Sequence, residues 1–330
     1  MTPSVASAFR PPRWLRNAHV QSVLGGSPLR RRKGLAALAA AGARTEQVLV
    51  DGGDGVRLLG LHTALPGVEP RGMALLLHGW EGSAESAYVC LAAAGLLARG
   101  YDVFRLNFRD HGDSHHLNPD IFHSARIDEV VHGALDIARR MPRPRLVVGG
   151  HSLGGNFALR LALRAPGAGL KLDAVAAVCP VLDPARTMEA MERGLPLYMR
   201  HFERSWRRSL QRKRELFPGH VGFDDDVLRL RMRELTEWLV LRHTDFGSLD
   251  GYFDRYSIAG DRLAGLTVPA SILTSADDPV IPVEGFHELV LPSGTHMEVA
   301  QWGGHCGFIE GPRLAGYAEH WVAARLAGGE

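Results

Sequence analysis

Residues 147–156 read VVGGHSLGGN, a β-branched apolar run that ends in small residues and sets Ser152 between glycines at G-x-S-x-G spacing. An alanine- and leucine-rich helical pattern follows at once, so the stretch predicts a strand, a sharp turn and a helix. Such a turn strains the serine backbone, and only residues as small as Gly150 and Gly154 tolerate it. It also presents the hydroxyl at a helix N-terminus, where N–H groups favour developing negative charge. The pattern therefore predicts a nucleophile at Ser152; the alternative is an ordinary glycine-rich turn.

Strand-like and helical segments alternate on both sides of this stretch. A hairpin is expected at 46–63 around the turn GGDG, and the remaining strands are expected at 73–77, 101–107, 145–148, 172–178, 270–274 and 295–301. Helices are expected at 86–99, 125–140, 154–164 and 312–326. This alternation is typical of a mostly parallel sheet covered by helices on both faces. We therefore predict an α/β core made of residues 45–182 and 261–330.

The alternation stops between residues 183 and 260. This segment has no comparable β-rich run, and its apolar residues recur at helical spacing, as at Leu235, Leu239 and Val240. An insertion of this length in an α/β chain is usually a helical cap over the C-terminal ends of the strands. We expect such a cap here.

Residues 1–44 are expected to form an N-terminal extension that packs on the core. Within it, residues 30–43 read RRRKGLAALAAAGA and imitate a signal peptide, but they lie too far from Met1 for that role. A short surface helix or loop is the expected structure of this segment.

The composition limits the classes of function. A hydrophobic content of 45% in 330 residues suffices for a substantial core, and a net charge of +2 gives no reason to expect nucleic acid as a partner. Cys90, Cys179 and Cys306 are widely separated, which indicates reduced thiols and a cytoplasmic protein. No apolar run reaches the about 18 residues that span a bilayer.

A serine hydroxyl needs a base to remove its proton, and that base needs a carboxylate to orient it. Residues 277–282, DDPVIP, follow the late strand, and residues 303–308, GGHCGF, follow the last strand. They supply the order serine, acid, histidine, with Asp277 or Asp278 as the acid and His305 as the base. The alternatives are aspartates that cap a turn and a buried structural histidine.

Acyl transfer also needs donors for the oxyanion of its tetrahedral intermediate. One is expected to be the backbone N–H of Leu153, directly after the serine. The other is expected from the loop after the third strand, where residues 78–83 read HGWEGS and make the Trp80 N–H the candidate. Gly79 permits close backbone approach, and His78 is expected to brace the loop.

Taken together, these motifs resemble those of the YheT-like subfamily of the α/β-hydrolases. That subfamily contains bacterial esterase-like proteins, yeast medium-chain ethanol acyltransferases and animal phospholipase-like members. Residues 9–22, FRPPRWLRNAHVQS, resemble its N-terminal signature, and 78–83 and 150–156 match its oxyanion loop and serine turn. The stretches 277–279 and 303–311 match its acid and histidine loops. The resemblance implies an α/β-hydrolase fold, and its D-P-x-x-P acid loop favours Asp278 over Asp277.

The chain departs from this subfamily in two places. Ser22 stands where threonine is commoner, and residues 107–114, NFRDHGDS, carry Asp110 in place of a glycine. These changes leave the triad intact. They are expected to reshape one wall of the pocket through residues 110–116, so the substrate is not carried over from the subfamily.

Two further segments have a chemical and a plainer interpretation. His111, His115, His116 and His123 could suggest a metal site, but the glycine and proline between them favour a loop, and no metal is expected. The basic segment 200–214 could place Phe202, Trp206, Ser209 and Leu210 on one helix face, suited to an anionic membrane surface or acyl donor. A solvated cap helix is favoured.

The first functional hypothesis is therefore a cofactor-independent serine hydrolase that acts on esters of short or medium acyl chains. The second is an alcohol acyltransferase with the same triad, and the third is a non-catalytic binding protein. A strained serine turn has no use in a non-enzyme, which argues against the third hypothesis. The expected partner is a small-molecule ester or acyl substrate, and the sequence does not determine the acyl length, the alcohol or the oligomeric state.

Overall fold

The computed structural model describes residues 5–328 and contains one nine-stranded sheet with helices on both faces. The strands are β1 (Val5–Ala6), β2 (Arg44–Asp51), β3 (Arg57–Ala64), β4 (Gly72–Leu77), β5 (Tyr101–Leu106), β6 (Leu146–His151), β7 (Ala174–Val178), β8 (Ala270–Ser275) and β9 (Thr295–Ala300). Their order in the sheet is β1-β9-β8-β7-β6-β4-β5-β3-β2. Neighbouring strands pair in parallel except where β3 pairs with β2 and β5. The predicted mostly parallel sheet is confirmed.

The central strands are buried on both faces. Every residue of β4, β5 and β6 is buried, as continuous apolar runs in a covered parallel sheet require. Side chains alternate between the two faces, so Leu75 belongs to one hydrophobic cluster, and its neighbours Ala74 and Leu76 belong to the other.

Helices from distant parts of the chain complete these two clusters. Those before β7 are α1 (Ala18–Gly25), α2 (Pro28–Ala40), α3 (Ala87–Leu97), α4 (Ile127–Arg140) and α5 (Leu153–Arg164). Those after it are α6 (Pro184–Arg193), α7 (Pro196–Leu216), α8 (Pro218–Val221), α9 (Asp225–Arg229), α10 (Met232–His243), α11 (Leu249–Tyr256), α12 (Glu284–His287) and α13 (Tyr317–Ala327). Residues of α4 and α5 pack on one face of the sheet, and residues of α3 and α13 pack on the other.

The helices α6 to α11 occupy the segment between β7 and β8. Leu210 of α7 and Leu235 and Leu239 of α10 are buried in the same cluster as α4 and α5. The segment therefore packs onto the sheet's own core. Among residues 5–328, no helix combines the length and the apolar character needed to cross a bilayer.

Residues 30–43 were expected to form a short surface helix or loop, and the structure has a helix there whose side chains are mostly exposed. They belong largely to α2, a thirteen-residue helix that packs along α3 through Gly34, where an added Cβ would lie 2.7 Å from the Cβ of Cys90. Arg30 is fully buried and pairs at 2.6 Å with Glu319 of α13. The sequence did not predict the burial of Arg30, whose charge is neutralised by a residue almost 300 positions away. The closing helix also begins later than predicted, at Tyr317 rather than at residue 312.

Candidate active site

Ser152 lies between the end of β6 and the start of α5, in a strained backbone conformation with φ of 54° and ψ of −122°. A Cβ on Gly150 would lie 2.1 Å from the carbonyl oxygen of Gly154, and a Cβ on Gly154 would lie 2.4 Å from that of His78. The turn therefore closes only with glycine at both positions. The Ser152 N–H donates to the Val178 carbonyl of β7 at 2.8 Å, which anchors the strained residue to the sheet.

The structure brings His305 and Asp278 to this serine. Ser152 follows β6, Asp278 follows β8 and His305 follows β9. Since these strands are parallel, all three residues lie at the edge of the sheet formed by the C-terminal ends of the strands. Nε2 of His305 lies 2.9 Å from Oγ of Ser152. Nδ1 of the same ring lies 2.9 Å from Oδ2 and 3.2 Å from Oδ1 of Asp278. The three side chains form a continuous hydrogen-bonded series.

The adjacent aspartates have different neighbours. Oδ1 of Asp278 also accepts from the N–H groups of Val280 and Ile281, at 2.8 and 2.9 Å, which fixes its carboxylate against His305. Asp277 accepts from the Gly304 N–H at 2.9 Å and makes no hydrogen bond to the imidazole. Asp278 is therefore the carboxylate that contacts the imidazole, while Asp277 holds the backbone of the histidine loop.

Two opposing effects act on the pKa of His305. Burial disfavours the charged imidazolium, but the carboxylate of Asp278 and, to a smaller extent, Cys306 outweigh burial, and the pKa of His305 rises to about 9. Asp278 therefore stabilises the imidazolium. That is the form a base reaches after it takes a proton from a serine.

The loop after β4 is held by side chains on either side of Trp80. The N–H of Gly79 donates to the hydroxyl of Tyr88 at 2.9 Å, and the N–H of Glu81 donates to Nε2 of His111 at 3.1 Å. Between them, the N–H of Trp80 has no acceptor among the described residues. The loop is thus rigid around one free donor.

The remaining residues predicted for this loop have equally defined positions. His78 is fully buried; its Nδ1 contacts the Gly79 carbonyl at 2.7 Å, and its Nε2 accepts from the Phe108 N–H at 3.2 Å. Burial lowers the pKa of His78 well below its usual value, so the ring is neutral and braces the loop. The N–H of Leu153, at the start of α5, also lacks an acceptor in the part of the chain that the structure describes.

Ser152 lies at the wall of a largely apolar cavity of about 100 Å³. That volume holds several water molecules, and therefore a short aliphatic chain. Most of the lining comes from the helices between β7 and β8: Pro184, Thr187, Met188, Met191, Phe202, Trp206, Met232, Thr236, Leu239, Tyr252, Phe253 and Tyr256. The sheet side contributes Trp80, Phe122, His123, Ser124, Leu153, Val181 and Val280.

The apolar face of the basic segment 200–214 points into this cavity. The ring of Phe202 stacks on that of Trp80 with centroids 5.3 Å apart, and Trp206 meets the same ring edge-on at 5.4 Å. Leu210 is buried. The face that could have entered a membrane is therefore packed over the candidate oxyanion loop.

Residues 110–116, in the loop between β5 and α4, face α7 instead of the cavity. They were expected to reshape one wall of the pocket, but none of residues 110–116 lines the cavity at Ser152, so any effect on that wall is indirect. Asp110 pairs with Lys213 of α7 at 2.5 Å, and both side chains are buried. Its other carboxylate oxygen accepts from the N–H of Phe122, which does line the cavity. Asp110 thus contacts the cavity only indirectly, through the backbone of Phe122.

Two of the histidines weighed as metal ligands, His111 and His115, make separate hydrogen-bond contacts in the structure. Nδ1 of His111 contacts the carbonyl of Arg109 at 2.7 Å, and Nε2 of His115 contacts the hydroxyl of Ser209 at 2.9 Å. Among residues 5–328, the side chains that could jointly hold a metal are Cys179, His305 and Cys306, with ligand atoms within 4.8 Å of one another. Both nitrogens of His305 already face Asp278 and Ser152. That imidazole therefore has no nitrogen to spare for an ion.

Several residues that hold the site were missed or misjudged at the level of sequence. Tyr88 carries no motif that would reveal its bond to Gly79, and His111 suggested only a metal. Ser22 stood out as a departure from a subfamily pattern, yet its hydroxyl accepts a hydrogen bond from the His305 N–H at 2.8 Å. The N-terminal signature was thus the one usable signal for this contact.

Comparison with known proteins gives one family match. A family model described as the alpha/beta hydrolase fold matches residues 75–312, which include Trp80, Ser152, Asp278 and His305. No curated protein matches the chain at a significant level.

Solved structures give further likenesses. An esterase from Pyrobaculum calidifontis is 18% identical over 97% of this chain and 99% of its own, with a TM-score of 0.59. A Pyrococcus furiosus esterase is 18% identical over 88% of this chain and 91% of its own, with a TM-score of 0.55. A 2,6-dihydroxy-pseudo-oxynicotine hydrolase is 19% identical over 91% and 74%, with a TM-score of 0.56. At such identities the likeness is one of fold.

Proposed function

Because this chain belongs to the alpha/beta hydrolase fold family, we propose that it is a serine hydrolase that cleaves carboxylic esters of short to medium acyl chains. The observation that carries the proposal is the hydrogen-bonded series Ser152–His305–Asp278 at the wall of an apolar cavity. The esterases among its structural neighbours and its resemblance to the YheT-like subfamily support the same chemistry.

Acylation begins with the strained serine. The hydroxyl of Ser152 donates to Nε2 of His305, which takes the proton as Oγ attacks the ester carbonyl carbon. The carbonyl oxygen becomes an oxyanion and accepts from the N–H groups of Trp80 and Leu153. Asp278 stabilises the imidazolium. The intermediate then collapses, and His305 gives its proton to the departing alcohol, leaving the acyl group on Ser152.

Deacylation repeats these steps with water as the nucleophile. His305, again neutral, removes a proton from water as its oxygen attacks the acyl carbonyl carbon. The same two N–H groups hold the second oxyanion. Collapse returns the proton to Oγ of Ser152 and releases the carboxylic acid, so the enzyme is regenerated with no cofactor.

The cavity supports the substrate class. Met188, Met191 and Met232 line it, and unbranched thioether side chains adapt to chains of differing shape. An uncharged acyl group is thereby desolvated against apolar atoms. We expect activity to be greatest on esters whose acyl chain fills the cavity without displacing these methionines.

Acyl transfer to an alcohol is the second candidate, and the apolar walls around Ser152 favour it because they admit an alkyl alcohol readily. The acyl-enzyme is the same in both reactions. Products measured from one ester with and without ethanol distinguish them: hydrolysis gives mainly free acid, whereas transfer gives mainly a new ester.

The proposal is tested with p-nitrophenyl esters of increasing chain length. The parent is expected to release p-nitrophenol, and Ser152→Ala is expected to lose nearly all of that activity. Ser293→Ala removes an exposed hydroxyl in the loop before β9 and serves as the matched control. A parent without turnover on any ester, or a Ser152→Ala variant with full activity, refutes the proposal and would leave the binding-protein hypothesis.

A further inference from the structure

The N-terminal helix α1 packs directly on the loop that carries His305. A Cβ on Gly304 would lie 2.2 Å from the carbonyl oxygen of Ala18 and 2.6 Å from Oγ of Ser22. The two backbones therefore approach as closely as a glycine allows. This contact joins a segment near one end of the described chain to a loop near the other end.

Ser22 makes two hydrogen bonds at this contact. Its hydroxyl donates to the carbonyl of Ala18, one turn earlier in α1, at 2.7 Å. The same oxygen accepts from the backbone N–H of His305 at 2.8 Å. The first bond fixes the hydroxyl rotor, so the lone pair is presented to the histidine N–H in a defined direction.

The neighbouring N–H of the histidine loop is held from another element. Gly304 donates to Asp277 at 2.9 Å, so two successive backbone N–H groups are bonded, one to the acid loop and one to α1. Beyond the histidine, the side chain of Gln21 bridges α1 to Ile309: its Oε1 accepts from the Ile309 N–H at 2.7 Å, and its Nε2 donates to the Ile309 carbonyl at 3.2 Å. The loop is thus attached to α1 at its centre and at its far end.

Hence we propose that Ser22 is a positioning residue for His305, a role that rests on the proposed function. The imidazole must hold Nε2 and Nδ1 within 2.9 Å of Ser152 and Asp278 at once. Its Cα position and χ1 are set by the backbone that Ser22 anchors. A displacement of about 1 Å at a catalytic group lowers rates by about a hundredfold, so one lost backbone anchor has a kinetic effect.

This role differs from simple support of the fold. Ser22→Ala keeps α1 intact, because alanine is a better helix former than serine, and the Gln21 bridge still joins α1 to the loop. The variant therefore loosens the histidine without unfolding its surroundings. Ser22→Thr retains the hydroxyl, and threonine in a helix also bonds the carbonyl one turn earlier, so it is expected to restore the anchor.

The test measures the second-order rate constant for labelling of Ser152 by a fluorophosphonate, which reports the serine–histidine pair without knowledge of the natural ester. Ser22→Ala is expected to lower that constant and kcat by about tenfold, the equivalent of one lost hydrogen bond, with KM unchanged. Ser22→Thr is expected to stay within about twofold of the parent. Ser27→Ala is the matched control, since Ser27 also accepts from a backbone N–H in this segment, that of Arg30.

The outcomes separate the inference from the proposed function. If the parent is labelled at Ser152 and Ser22→Ala reacts equally fast, the positioning role is refuted while the hydrolase proposal stands. If Ser22→Ala and Ser27→Ala slow labelling equally and lower the melting temperature equally, Ser22 is only structural and the inference fails. If the parent is not labelled at Ser152, the proposed function itself fails.

Discussion

Replacing Asp278 with asparagine should all but abolish turnover, while the same change at Asp277 should not. In Asp278, Oδ1 accepts from the N–H groups of Val280 and Ile281. The asparagine oxygen is therefore retained at that position, and its NH2 group takes the place of Oδ2, 2.9 Å from Nδ1 of His305. Nδ1 must then accept a hydrogen bond, which moves the ring proton to Nε2, opposite Ser152.

The magnitude follows from this wrong tautomer. A base that carries its proton on the nitrogen facing the serine cannot accept another there, and such changes in serine triads lower kcat by roughly 10³–10⁴-fold. This corresponds to about 4–5.5 kcal/mol of transition-state stabilisation. Asp277→Asn retains an oxygen for the Gly304 N–H and is expected to stay within about fivefold of the parent, since one weakened hydrogen bond is worth about 1 kcal/mol.

The assay is steady-state hydrolysis of the best p-nitrophenyl ester from pH 5 to 10, with melting curves to confirm that both variants fold. Asp278→Asn removes the charge that most raises the pKa of His305, so the acid limb of the residual activity should move to lower pH. An Asp278→Asn variant within tenfold of the parent would contradict this reasoning. An Asp277→Asn variant with the larger loss would assign the acid to the other aspartate.

Three further predictions follow from the same structure. Since the proposed base works only when neutral and the pKa of His305 is about 9, kcat/KM should rise from pH 7 and level off above about pH 9; a profile already level at pH 7 contradicts this. Lys213→Ala leaves the buried carboxylate of Asp110 without its partner and the carbonyls of His115 and Asn118 without their donor, so it should lower the free energy of unfolding by about 3–5 kcal/mol in urea titrations, whereas the double variant Asp110→Asn, Lys213→Met should recover only the part due to the unpaired charge. Met188→Trp fills the cavity and should raise the ratio of kcat/KM for the butyrate ester to that for the octanoate ester by about tenfold, while kcat/KM for the acetate ester changes little. An unaltered ratio would show that the acyl chain does not bind in this cavity.

Patterns local in sequence predicted the fold and much of the candidate site. Buried parallel strands appear as short apolar runs, and the elements at β4, β5 and β6 were therefore predictable, as was the strained turn at Ser152. The predicted α/β-hydrolase fold is confirmed. The roles of Ser152, Asp278 and His305 remain predictions, although the structure brings their side chains into hydrogen-bond contact.

Contacts between distant segments could not be predicted from the sequence. Arg30 looked like part of a basic surface run, and only its pairing with Glu319 in the folded chain explains its burial. Asp110 looked like a pocket residue, but its partner Lys213 lies about a hundred positions away on α7. In each case a charged side chain is buried because of a counter-charge that no local pattern reveals.

The bond between Ser22 and His305 joins residues 283 positions apart in the chain. A ribosome adds roughly 5–20 residues per second, so roughly 15–60 s pass between the synthesis of Ser22 and that of His305. For about the second half of that interval the nascent chain contains Ser152, but for most of that time it lacks Asp278, and it lacks His305 throughout. If the proposed function holds, the order of synthesis therefore leaves the serine without its base until the last strand of the sheet has been made.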